Sequence, residues 1–163
     1  MKLAGALGVS VDTLLVSKSN VEDAPLGARR IPVLDYVQAG HWRGVDSIPQ
    51  DEDLRETILT DLEHPPSTFA MRVRGDSMEP EFTEGDVVVI APTIQPKPGD
   101  FVVAANGGGE ATFKQYRSAG LNESGQEVFE LWPLNHLYAP MRSDRQKLSI
   151  VGTMVEHRRY RRR

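Results

Sequence analysis

The chain has 163 residues, 39% hydrophobic and 7% aromatic, enough for one compact domain with a short appendage. It has no long apolar run of the kind that spans a membrane and no basic region followed by an apolar stretch that would mark a secretory signal. With no cysteine, it has no disulfide framework, cysteine nucleophile or thiolate metal site, a composition that fits a cytoplasmic protein. The net charge of −4 conceals an asymmetry: five arginines fall in the last six residues, so the rest carries 14 basic against 23 acidic side chains, a body ill-suited to gripping nucleic acid by itself.

Residues 1–16 read as helix, turn, helix. Leu3, Ala4, Ala6 and Leu7 have helical apolar spacing, Gly8 ends that helix, and Ser10 caps a second one carrying Val11, Leu14 and Leu15. Helices this short bury little alone, so they are expected to be the end of a larger helical domain. Residues 17–30 are polar, contain Pro and Gly, and read as a linker. From Ile31 the alternation of Ile31, Val33, Asp35 and Val37 against Leu34 and Tyr36 predicts a strand ending at Ala39-Gly40. Leu54, Ile58 and Leu62, in an acidic stretch bordered by prolines, have the spacing of a short helix.

Strand signals dominate after that: 69–74, 87–90, 101–105, 110–117, 127–132 and 148–156. Asn106-Gly-Gly-Gly109 reads as a hairpin loop between two of them. It is not a phosphate loop, because the Lys-Ser/Thr and helix that such a loop needs do not follow. The expected architecture is a single mainly β domain over 31–157, with residues 158–163 as a basic, solvated tail.

The most informative segment is Met71-Arg-Val-Arg-Gly-Asp-Ser-Met-Glu-Pro80. A strand runs into Gly75, and Ser77 stands on the turn that follows. Such a turn exposes a hydroxyl and aims consecutive backbone amides, here those of Asp76 and Ser77, at one point where a developing oxyanion can be held. The competing reading is a cap on a turn or helix beginning at Met78. A nucleophilic serine needs a base. His41, His64, His136 and His157 lie in no recognisable motif with Ser77, and show no metal-ligand spacing. A lysine serves only when neutral, which requires burial. Lys114, in Ala111-Thr-Phe-Lys-Gln-Tyr116, sits within a strand and shares a face with Thr112 and Tyr116. Its competing reading is a lysine guarding an edge strand.

Together the segments Gly75-Asp-Ser-Met-Glu-Pro80, Glu84-Gly-Asp-Val-Val-Val-Ile90, Pro98-Gly-Asp-Phe-Val-Val103, Thr112-Phe-Lys114 and Leu131-Trp-Pro-Leu-Asn-His-Leu-Tyr138 closely resemble the LexA-like self-cleaving repressors. That family includes LexA, phage CI-type repressors and the UmuD proteins, and the resemblance covers roughly residues 31–156. It implies a β domain like that of LexA and the signal peptidases. It also implies a Ser77–Lys114 dyad, with Ser77 as nucleophile and Lys114 as neutral general base. The implied substrate is the chain's own Ala39-Gly40 bond, where small residues let backbone enter a narrow cleft, although Gly40 by itself reads equally as a turn. Homodimers or higher oligomers, stimulation by a RecA filament, and operator binding through a helix-turn-helix domain of which 1–16 would be the last part are further implications. No cofactor or metal is implied.

Two readings compete with a self-cleaving repressor. One is a non-cleaving oligomerisation module that retains Ser77 and Lys114, and the other is a UmuD-like protein. A protease acting in trans, like a signal peptidase, is disfavoured by the missing membrane segment. Asp51-Glu-Asp53 is read as solvated, and Trp42 and Trp132 as packing residues.

Overall fold

The computed structural model describes residues 28–42 and 56–161. The helical remnant of residues 1–16 and most of the linker therefore lie outside the described residues. The described strands are β1 (Arg29–Leu34), β2 (Thr57–Thr60), β3 (Phe69–Arg72), β4 (Val87–Ala91), β5 (Phe101–Asn106), β6 (Ala111–Leu121), β7 (Glu127–Trp132), β8 (Met141–Arg142) and β9 (Leu148–Arg158), with one helical turn, α1 (Tyr36–Gly40). They form one sheet in the order β2-β1-β3-β4-β9-β5-β6-β7-β8, parallel only between β1 and β3. Register shifts at Val89/Ile90 and Val103/Ala104 interrupt both partners of β9, and such bulges bend and twist a sheet. The sheet has apolar clusters on both faces. The largest contains Phe69, Met71, Met78, Phe82, Ile90 and Phe113. Phe82, 1% exposed, meets Phe101 and Phe113 edge-on at centroid distances of 4.7 and 5.0 Å.

The continuous apolar runs at β4 and β5 form central strands buried on both sides, as expected of such runs. Asn106-Gly-Gly-Gly109 is the predicted hairpin loop. The Asn106 Oδ1 accepts the Gly108 and Glu110 N–H groups at 2.9 and 3.0 Å, and Gly109 takes φ +77°.

Three expectations are corrected. The first strand stops at Leu34 rather than Ala39-Gly40. Asp35 caps α1 in a capping box, its Oδ1 accepting the Gln38 N–H at 2.7 Å while Gln38 Oε1 accepts the Asp35 N–H at 3.1 Å, and this local pair outcompetes continued extension. The helix suggested by Ile58 and Leu62 is strand β2, because Thr57–Thr60 pairs antiparallel with Arg29–Pro32; Leu54 lies outside the described residues. The start of the basic tail is tied down. Arg158 belongs to β9 and donates to the Leu59 carbonyl at 2.6 Å, and Arg159 Nε sits 3.3 Å from the buried Asp86 carboxylate. The two-residue strand β8 went unanticipated, being too short for a periodic pattern.

Candidate active site

The Ser77 turn is built by its neighbours. Met71 and Val73 on one side, and Met78 and Phe82 on the other, bury their side chains in the main core and so pin the ends of a turn whose tip stays at the surface. Gly75 takes φ +69°, a conformation costly for any other residue, and its N–H donates to Glu84 Oε1 at 3.1 Å. Residues 77–81 form turns rather than a helix, so of the turn or helix expected to begin at Met78 it is the turn that forms. The Asp76 carbonyl accepts the Glu79 N–H at 3.1 Å.

Lys114 comes from β6, which is paired on both sides by β5 and β7. Lys114 thus belongs to an internal strand, although it is itself paired only on the β5 side because β7 pairing begins at Gln115. Its Nζ lies 2.9 Å from Ser77 Oγ, 3.0 Å from the Phe113 carbonyl and 3.2 Å from Thr112 Oγ1. Burial pulls its pKa from 10.5 down to about 8. An amine with that value is about a tenth neutral at pH 7, compared with about one part in 3,000 for an ordinary lysine. A neutral amine has two N–H donors and one lone pair. With the donors turned to Phe113 and Thr112, the lone pair faces the Ser77 hydroxyl.

Ser77 and Lys114 line a pocket of about 590 Å³ together with Tyr36, Gly75, Glu84 and Thr112. Tyr36 reaches it from α1, its hydroxyl accepting the Arg74 N–H at 3.1 Å beneath the Arg74 guanidinium, 5.2 Å from the ring centre. Of the two amides expected to hold an oxyanion, Ser77 lines the pocket and Asp76 does not.

The Ala39-Gly40 pair is not in this pocket. Both residues are buried at the end of α1, and Gly40 lines a separate cavity with Trp42, Ser67 and Pro92. Gly40 packs so closely on the Gly109 carbonyl that a Cβ there would overlap it. His41, His64, His136 and His157 also stay out of the Ser77 pocket: His64 pairs with Glu156 at 3.2 Å and His157 with Asp86 at 2.9 Å. The described residues hold no cluster of three or more His, Asp or Glu able to hold a metal ion, and no helix among them is long and apolar enough to cross a membrane. Trp42 packs on Phe69, and Trp132 lies under Arg117, 4.3 Å from its guanidinium.

Asn135 and Tyr138 bond to the Ser77 turn, and sequence reasoning gave them no role although both lie in the segment that carries the resemblance. The signal was present in Leu131–Tyr138, whose polar residues fall at fixed offsets without strand or helix periodicity.

Known proteins are similar to this chain over most of its length. The family model described as Peptidase S24-like matches residues 32–155. The chain is 36% identical over 150 residues to the LexA repressor of Syntrophobacter fumaroxidans, which covers 90% of this chain and 68% of that protein. It is 34% identical over 151 residues to the HTH-type transcriptional regulator for conjugative element SXT of Vibrio cholerae, covering 85% and 67%. To prophage repressor CohE of Escherichia coli it is 31% identical over 126 residues, covering 77% of this chain and 54% of that one. The chain thus spans about two thirds of two of these relatives and about half of the third.

Proposed function

The chain belongs to the peptidase S24-like family, and on that premise we propose that it is the self-cleaving, self-associating part of a transcriptional repressor, cutting its own Ala39-Gly40 bond with Ser77 and Lys114. The observation that carries this reading is the 2.9 Å approach of Lys114 Nζ to Ser77 Oγ inside a pocket that depresses the lysine's pKa. In the reaction, Ser77 Oγ adds to the Ala39 carbonyl carbon while Lys114 takes its proton. The negative oxygen is held by the Ser77 amide. Collapse breaks the Ala39–Gly40 bond, and Lys114 returns the proton to the Gly40 nitrogen. Water, deprotonated by Lys114, then hydrolyses the Ala39 ester and restores Ser77.

The scissile bond must first reach Ser77. Tyr36 is already at the pocket, and unwinding α1 extends the path from Tyr36 to Ala39 from about 5 Å to about 10 Å. The helical turn and the Gly40–Gly109 packing thus make a latch that sets how often the bond is presented. Once presented, a tethered substrate needs no encounter. In this reading a RecA filament favours the presented state, the domain forms homodimers, and operator DNA is bound through a helix-turn-helix portion to which residues 1–16 belong. Cutting between the two portions weakens operator binding, because linked half-site binding is lost.

The burial of Ala39-Gly40 away from Ser77 is what the non-cleaving module would also show. Incubating the chain over a range of dilutions, with and without RecA filaments, separates the two. Self-cleavage predicts a first-order rate independent of concentration, and intact Ser77→Ala and Lys114→Ala chains under the same conditions. A parent chain that stays whole in every condition, or a Ser77→Ala chain that is cut like the parent, contradicts the proposal.

A further inference from the structure

The turn between β7 and β8 lies against the outer side of the Ser77 turn, and Asn135 bonds to it twice. Its backbone N–H donates to the Ser77 carbonyl at 3.1 Å, and its Nδ2 donates to the Asp76 carbonyl at 3.1 Å. The amide's orientation is fixed because its Oδ1 accepts the Leu137 N–H at 3.0 Å. Tyr138, whose N–H donates to the Asn135 carbonyl at 3.1 Å, donates its hydroxyl to Asp76 Oδ1 at 2.5 Å.

These bonds have a consequence for the peptide linking Asp76 to Ser77. In a planar trans peptide the N–H points opposite to the C=O. The Asp76 carbonyl is held by Asn135 Nδ2 and the Glu79 N–H, and since neither Asn135 nor Glu79 lines the pocket, we infer that this carbonyl faces away from it. The Ser77 N–H of the same peptide is therefore turned the other way. Ser77 lines the pocket whereas Asp76 does not, which agrees with that direction. The Asp76 carboxylate, tethered by Tyr138, is likewise held off the pocket, where its negative charge would oppose a developing oxyanion.

We propose that Asn135 is a positioning residue for self-cleavage: its side-chain amide fixes the Asp76–Ser77 peptide so that the Ser77 N–H meets the Ala39 oxygen as it becomes negative, while Tyr138 keeps the Asp76 carboxylate clear. The inference rests on the proposed self-cleavage and adds a residue that touches neither Lys114 nor the scissile bond. It assigns a role to the Leu131–Tyr138 segment, which the dyad leaves unused.

The test compares cleavage rates of the whole chain as parent, Asn135→Ala, Asn135→Asp, Tyr138→Phe and Ser77→Ala between pH 6 and 10. Asn135→Asp retains an acceptor for the Leu137 N–H, so the turn keeps its own bond, but it has lost the donor to Asp76. Positioning predicts that both Asn135 variants lower the plateau rate by about 10- to 100-fold. It also predicts an unchanged midpoint of the pH profile and a smaller loss for Tyr138→Phe. A merely structural role would instead admit water to Lys114 and move the midpoint up toward that of an ordinary lysine, and that result overturns the inference. So does an Asn135→Asp rate within about threefold of the parent while Ser77→Ala is inert, which leaves the proposed cleavage standing. A Ser77→Ala chain that is cut like the parent overturns both.

Discussion

In the proposed reaction, Lys114 is where a single proton decides the chemistry. As an ammonium it has no lone pair to take the Ser77 proton, and burial lowers the pH at which that lone pair appears to about 8. The sign follows directly: protonated below the midpoint means inactive, neutral above it means active. The cleavage rate is therefore expected to rise about tenfold per pH unit below pH 8 and to level off about one unit above it, as read from a pH series of fragment yields. A rate that falls as pH rises through 8 would contradict Lys114 as base. At this scale the sequence named both partners, but 37 positions separate them and no periodicity joins them. Resemblance to a family supplied the pairing, and folding supplied the distance. Asn135 lies in a segment that carries the resemblance, but its bond to the carbonyl of a residue 59 positions away has no local signature.

Among the elements, α1 would set presentation of the bond in the proposed reaction, and it was misread from the sequence. Ile31 to Val37 alternates as a strand should, and β1 does form over its first part. Asp35 followed by Gln38 three positions later is also a capping-box pattern, and that local bond pair prevailed. Opening α1 exposes the Ala39-Gly40 bond, so weakening the cap should speed cleavage. Asp35→Ala removes a cap worth about 1 kcal/mol, which raises the unwound fraction and the rate at pH 8 by about fivefold. A slower variant would show that α1 assists presentation rather than opposing it. The misreading of β2 has a different physical origin. Ile58 and Leu62 match helical spacing, but the strand is formed by pairing with β1, a contact about thirty positions away that no short window contains. Of the legible strands, β3 to β7 have runs that end near Gly, Pro or Asn turns, while β9 was legible from its apolar run alone.

At the scale of the whole molecule, the sheet brings its middle strands and two loops to one place. The Ser77 turn leaves β3, Lys114 rises from β6, and the turn after β7 holds the Ser77 turn from outside. The fold class was legible because strand after strand is bounded by turn residues. The strand order, with β9 inserted between β4 and β5, was not, because it depends on pairings across more than forty positions. The proposed cleavage requires the same molecule to hold Ala39-Gly40 away from Ser77 most of the time and deliver it some of the time. The central claim is that it delivers this bond and no other. Intact mass and N-terminal sequencing of the chain after incubation at pH 9 test it most directly. The account predicts a fragment beginning at Gly40, 124 of the 163 residues long, alongside a 39-residue piece. A chain that remains whole, or a new terminus at any other residue, would contradict it.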